Sequence, residues 1–174
     1  INLARLGYMY KGNFEAMATR LESLMDLAKK SLEIKRKVIQ TRIDSGLFPY
    51  TRRYLGTLRN HFSTIGINGM NECIRNFSEN AFDISTSEGT ELAQKLLDRM
   101  RERIVQIQVE TGHLYNLEAT PAEGATHRFA REDKKRFHDI IQAGTPKAAY
   151  YTNSSQLPVD YTGDLFDIMR HQEK

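Results

Sequence analysis

The sequence predicts an α/β fold, rich in helix and poor in strands. Three observations carry that expectation: two long segments with apolar residues at a helical period, short β-capable runs between them, and a strand near residue 115 that leads straight into a capped helix. Helices alternating with strands point to crossover winding around a mostly parallel sheet. Too few strands are present to close a barrel, so the sequence predicts part of a larger α/β body without an internal domain boundary.

Ile1 to Met9 alternates loosely and lacks a helix cap, which predicts a short buried strand. From Asn13 a long helix follows, because Phe14, Met17, Leu21, Leu24, Ala28, Leu32, Ile39 and Ile43 form one apolar stripe that Ser45-Gly46 ends. Such a rod is about 45 Å long at about 1.5 Å per residue, so part of its stripe is expected to pack on structure outside these residues. Gly46 to Gly69, with Pro49 and Gly56, predicts a loop, then a strand over His61 to Ile67, then a turn. Met70 to Phe77 is a short helix. Ser85 and Glu88 have capping-box spacing ahead of Leu92, Leu96, Met100, Ile104 and Ile107, which predicts a second long helix ending at Thr111-Gly112. Tyr115 to Ala119 is a strand, and Thr120-Pro121-Ala122-Glu123 supplies cap, first-turn proline and box glutamate for the next helix. A looped region then leads to the polar run Tyr150 to Ser155, and a last helix spans Asp164 to His171.

The 174 residues are 40% hydrophobic and 27% charged, as expected of a globular domain, and no apolar run approaches the roughly 20 residues of a membrane span. Ile1 opens the chain without the basic start or cleavage site of a signal peptide, so a processed piece or part of a longer chain is expected. One cysteine, Cys73, excludes an internal disulfide and fits a reducing, cytoplasmic setting. It lies on a partly apolar helix with no base at helical spacing, and is expected to be buried and inert. His61, His113 and His138 are scattered, and no metal site is expected. The formal charge of +3 suits a phosphate-bearing partner and falls short of a dedicated nucleic-acid binder.

The candidate site is the turn Thr120, Pro121, Ala122, Glu123 and Gly124. A helix beginning at the C-terminal end of a strand presents unpaired amides and its positive dipole end to the crevice where α/β folds hold ligands. Gly124 lets a phosphate approach the backbone, whereas Glu123 would repel one unless it folds back on Thr120, so a plain capped helix stands as the alternative. Asn153 and Ser154, in the run Tyr150 to Gln156, are candidate substrate contacts, with a hydrogen-bonded turn as the alternative. The bases of His127 to Arg136, Lys29-Lys30 and Lys35-Arg36-Lys37 are expected to be solvated faces.

The blocks Gly46-Leu47-Phe48-Pro49-Tyr50-Thr51, Thr64 to Glu72, Glu110-Thr111-Gly112-His113, Glu118 to Gly124 and Tyr150 to Pro158 resemble, in order, those of the anaerobic ribonucleoside-triphosphate reductases. Ile1 to Arg5 resembles the strand after that family's active-site cysteine loop. His138, Lys147-Ala148-Ala149 and Asp160 depart from the pattern, as surface-loop changes. The resemblance implies a ten-stranded α/β barrel of the glycyl-radical type, with substrate phosphates held at Thr120 to Gly124. It places the radical glycine, the thiyl cysteine and a structural zinc outside this segment, with no catalytic residue or cofactor within it. Also implied are a ribonucleoside triphosphate substrate, nucleotide effectors, a radical-SAM activating protein, a homodimer, formate as reductant, and neither membrane nor nucleic acid as partner. The alternatives are another glycyl-radical enzyme of the formate-lyase type, and a basic helical interaction or nucleic-acid-binding module using Lys29 to Arg42.

Overall fold

The computed structural model describes residues 1–119 and 121–173. The chain is a helix-rich α/β assembly of seven helices and four short strands among those residues: α1 (Leu3–Met9), α2 (Phe14–Asp44), α3 (Pro49–Tyr54), β1 (Ser63–Gly66), α4 (Met70–Phe77), α5 (Ser87–Thr111), β2 (Tyr115–Glu118), α6 (Glu123–Arg136), β3 (Ala143–Thr145), β4 (Ala148–Tyr150) and α7 (Leu165–Gln172).

β1 and β2 pair in parallel, Ser63 opposite Tyr115 and Gly66 opposite Glu118, with α4 and α5 forming the crossover. β3 and β4 form a separate antiparallel hairpin. Beyond β1 the chain continues to Asn68, which bridges Asn2 in parallel and Asn153 in antiparallel fashion. Three stretches distant in sequence are thus stitched into one edge.

The main core fills the space between α1, α2, α4, α5 and the parallel pair, with Leu3, Met17, Leu21, Met25, Ile65, Met70, Ile74, Leu96, Met100 and Ile107 buried. Members of the α2 stripe behave as their spacing predicts: Met17, Leu21 and Ile43 are buried, and Phe14, Leu24, Ala28 and Leu32 pack against the core. Of that stripe Ile39 is exposed, while the other exposed aliphatics on α2 (Leu27, Ile34 and Val38) lie off it. A smaller cluster of Ala4, Ala130, Ile140 and Tyr151 seats α6 against α1.

Several boundaries differ from the sequence expectation. In place of the expected strand over Ile1 to Met9, Leu3–Met9 is a helix, with Asn2 ahead of it in a bridge. The Asn2 side chain accepts the Arg5 amide as an N-cap, and Leu3 and Leu6 one turn apart bury a helical face. α1 can cross α4 closely because residue 7 is glycine: a Cβ there would lie 2.1 Å from the Cys73 carbonyl oxygen. Gly46 to Gly69 contains α3, started by Pro49 at a first-turn position where its missing N–H costs nothing. α5 is capped by Thr86, whose hydroxyl accepts the Gly89 amide, not by Ser85, which turns back onto Asp83. The last helix begins behind Asp164, whose carboxylate accepts the Phe166 amide.

Candidate functional site

The edge through Asn2, Asn68 and Asn153 sits where three helices begin. Asn2 caps α1, and Gly69, with φ +80°, turns the chain from the Asn68 bridge into α4. Ala122 stands at the N-cap of α6 and donates its amide to Asn153 Oδ1 at 2.9 Å. The Leu3, Gly69, Met70 and Ala122 amides at these heads are bonded within the corner, to the Asn68, Thr152 and Ser154 carbonyls and to Asn153, and the positive ends of the helix dipoles lie there.

The sequence-predicted turn meets this corner with one change. α6 starts at Glu123, later than the sequence expectation, with Ala122 at the cap position and no side-chain cap bond among the described residues. Thr120 itself lies outside the described residues. The amide at the cap position, which a box glutamate would accept in a local capping box, is instead accepted from across the fold by Asn153. Glu123 faces the same group, with Asn153 Nδ2 3.5 Å from its Oε1. Pro121, Glu123 and Gly124 are exposed and Ala122 is half-buried. A Cβ on Gly124 would meet nothing within 4 Å, and its φ is outside the left-handed region. Neither packing nor backbone conformation within this chain therefore requires glycine there.

Asn153 and Ser154 do come to the turn, but differently. Asn153 bonds the head of α6, whereas Ser154 is 1% exposed and its Oγ has no partner among the described residues. Its backbone sits at φ +47°, uncommon for a residue with a Cβ, and its carbonyl accepts the Met70 amide at the head of α4. Asn68 Oδ1 is likewise buried and unpartnered among those residues. An orphaned buried polar atom is rare enough to require a reason, and two here lie at one bridge, on Asn68 and on the neighbour of its partner Asn153.

Two carboxylates missed by the sequence analysis support this strand. Glu72, fully buried on α4, accepts the Thr152 amide and hydroxyl, both at 2.8 Å, and the Asn71 side-chain amide at 3.1 Å. Asp133, fully buried on α6, accepts from the Tyr151 hydroxyl at 2.9 Å, from Asn2 at 2.7 Å and from the Arg5 guanidinium. Burial and the neighbouring Asp133 charge raise the Tyr151 pKa, keeping that hydroxyl a donor. Asp133 hides in a run of bases, and Glu72 beside an apolar cysteine, so neither announces burial locally.

The bases of His127 to Arg136 are all exposed, as expected, and His127, Arg131, Lys134 and Lys135 border a cavity of about 570 Å³ between α6 and the β3–β4 hairpin, to which Lys147 also contributes. Other basic residues correct the expectation of solvated faces. Arg36 is buried and donates to the Leu58 and His61 carbonyls and the Ser63 hydroxyl, and Lys29 pairs with Glu110 at 2.5 Å. Cys73 is buried as expected, and burial pushes its pKa up to about 12. Among the described residues no three His, Cys, Asp or Glu side chains gather as metal ligands, and no helix is long and apolar enough to cross a membrane.

The fold thus brings the head of α6 and the Asn153–Ser154 segment together at one corner. Comparison with known proteins gives it a setting. Residues 1–174 match the family model described as anaerobic ribonucleoside-triphosphate reductase. The Salmonella typhimurium anaerobic ribonucleoside-triphosphate reductase is 25% identical over 96% of this chain and 25% of its own length. That of Haemophilus influenzae is 30% identical over 60% of this chain and 14% of its own. Among solved structures, the anaerobic ribonucleotide reductase of Thermotoga maritima with citrate in the active site superposes with a TM-score of 0.81 at 28% identity, over 98% of this chain and 31% of that one. A structure of the same Thermotoga protein in complex with dATP and CTP gives the same TM-score and identity over 28% of its length. The chain thus spans less than a third of these relatives. From its first residue to its last, it belongs to the anaerobic ribonucleoside-triphosphate reductase family.

Proposed function

We propose that this chain serves the anaerobic reduction of ribonucleoside triphosphates to 2′-deoxyribonucleoside triphosphates for DNA synthesis, as a segment of a ten-stranded α/β barrel. Its part is scaffold and phosphate binding: the head of α6, at Pro121, Ala122, Glu123 and Gly124, holds the substrate's phosphates, with Asn153 and Ser154 beside them. The observation that carries this is the capture of the Ala122 amide by Asn153, which fixes an otherwise uncapped helix head at the end of a parallel strand pair. Open space around Gly124 supports it, since a phosphate can reach the first-turn amides there.

Family membership extends the reading to the glycyl and thiyl radical chemistry, a structural zinc, formate as reductant, nucleotide effectors, a radical-SAM activating protein, a homodimer and a cytoplasmic setting. Cys73 is buried, and no described residues assemble a ligand set for zinc, so the proposal routes no step through either group here. The rival nucleic-acid face from Lys29 to Arg42 loses support because Arg36 points inward and Lys29 is paired.

The test is equilibrium titration of a ribonucleoside triphosphate against the reductase carrying this segment. Saturable binding that Asn153→Ala weakens about tenfold, about 1.4 kcal/mol, is expected. Absence of any triphosphate affinity would favour a formate-lyase type of glycyl-radical enzyme.

A further inference from the structure

We propose that Glu72 and Asp133 are positioning residues for the substrate-phosphate turn, acting through Tyr151 and Thr152 on Asn153. The inference rests on the phosphate reading of the α6 head given above.

Tyr151, Thr152 and Asn153 are consecutive, and each is tied to a helix by a different group. The Tyr151 hydroxyl donates to Asp133 on α6, and Asn153 accepts from Ala122 at the head of that same helix. The segment after β4 is thereby pinned to α6 at two points three turns apart. Thr152, between them, donates both its amide and its hydroxyl to Glu72 on α4. Two points on one helix fix the segment along its axis; the third, on another helix, restrains its rotation together with the backbone bonds from Gly69 and Met70. Those backbone bonds, from the Gly69 and Met70 amides to the Thr152 and Ser154 carbonyls, hold the same segment beside α4, and the side-chain contacts set its placement against α6.

The chemistry of the two carboxylates suits alignment better than adhesion. Asp133 has the Arg5 guanidinium as counter-ion, but Glu72 has no cation partner among the described residues and is satisfied by neutral donors. A fully buried carboxylate without a cation is a poor choice if packing alone is needed, since an apolar side chain of similar volume avoids its desolvation. What the carboxylate adds is direction: two oxygens that receive an N–H and an O–H of one residue define where that residue sits. Ser154, next in the chain, is held at φ +47° with its hydroxyl unpartnered, as expected of a segment whose geometry is imposed by its neighbours.

The experiment is a double-mutant cycle on triphosphate affinity in the reductase carrying this segment. Glu72→Gln is expected to raise the triphosphate Kd about fivefold and Asn153→Ala about tenfold, with the double variant no weaker than Asn153→Ala alone because Glu72 acts only through Asn153. Thr152→Val, which removes the hydroxyl and keeps the shape, is expected to match Glu72→Gln, and Thr152→Ser to restore wild-type affinity; this pair decides the matter if Glu72→Gln does not fold. Losses that multiply in the double variant, or Thr152→Val binding like wild type, would overturn the positioning role and leave the phosphate reading standing. An Asn153→Ala variant with unchanged Kd would overturn both.

Discussion

Replacing Gly124 with valine separates ligand binding from folding in one substitution. The new Cβ enters open space, and the residue's φ is one any side chain adopts, so no clash or strain arises. Glycine costs about 1 kcal/mol against alanine inside a helix and valine somewhat less, so stability should stay within about 0.5 kcal/mol of wild type. Binding should respond differently. The branched side chain would stand over the first-turn amides of α6, and losing one charge-assisted bond to a phosphate costs about 1.5–3 kcal/mol, at least a tenfold rise in Kd. The assay is a triphosphate titration paired with a urea denaturation midpoint on the same protein. Unchanged affinity would refute the assignment of the turn to phosphate, and parallel loss of affinity and stability would return Gly124 to the role of an ordinary helix residue.

Other expectations follow from buried groups. Arg36→Met should destabilise by about 2–3 kcal/mol, because the Leu58 and His61 carbonyls lose a buried cationic donor, whereas Lys37→Met should shift stability by less than about 0.5 kcal/mol; equal melting temperatures would return Arg36 to the solvent face. Cys73, its pKa pushed up to about 12 by burial, should resist an aromatic disulfide reagent at about pH 8 until denaturant is added, and rapid labelling of the native protein would contradict its burial. Arg103, and then Lys29, hold the Glu110 carboxyl down at about 2. A depressed carboxyl stabilises the fold above its unfolded value and stops doing so as pH falls through its folded value. Arg103→Met should therefore move acid unfolding to higher pH, and an unmoved acid midpoint would show that Glu110 is not coupled to folding.

What the sequence made legible was periodic. α2 and α5 follow from apolar stripes, α4 and α7 from short amphipathic runs, and β1 and β2 from brief β-capable segments bounded by turns. The turn at Pro121 to Gly124 and the pair Asn153–Ser154 were visible as chemistry, and the fold brings the two segments together through the Asn153 side chain, which meets the Ala122 amide and the Glu123 carboxylate about 30 residues away in sequence. The groups that hold them left no local mark. Glu72 reaches Thr152 across 80 residues, and Asp133 reaches Asn2 across 131. Nothing in a window of neighbouring residues distinguishes such a carboxylate from a solvated one. Arg36 was hidden by its flanking lysines, and α1 by the brevity of its helical pattern. The head of α6 lies later than its local pattern suggests, and the bond that holds its Ala122 amide comes from Asn153, 31 residues away, which no local window shows.

The most direct test of the phosphate assignment is a crystal structure of the reductase carrying this segment with a ribonucleoside triphosphate bound. Phosphate oxygens within hydrogen-bond distance of the Glu123 and Gly124 amides, beside Asn153, are the expected result. A triphosphate seated elsewhere, for example in the basic cavity between α6 and the β3–β4 hairpin, with the Pro121 to Gly124 turn left to solvent, would contradict it.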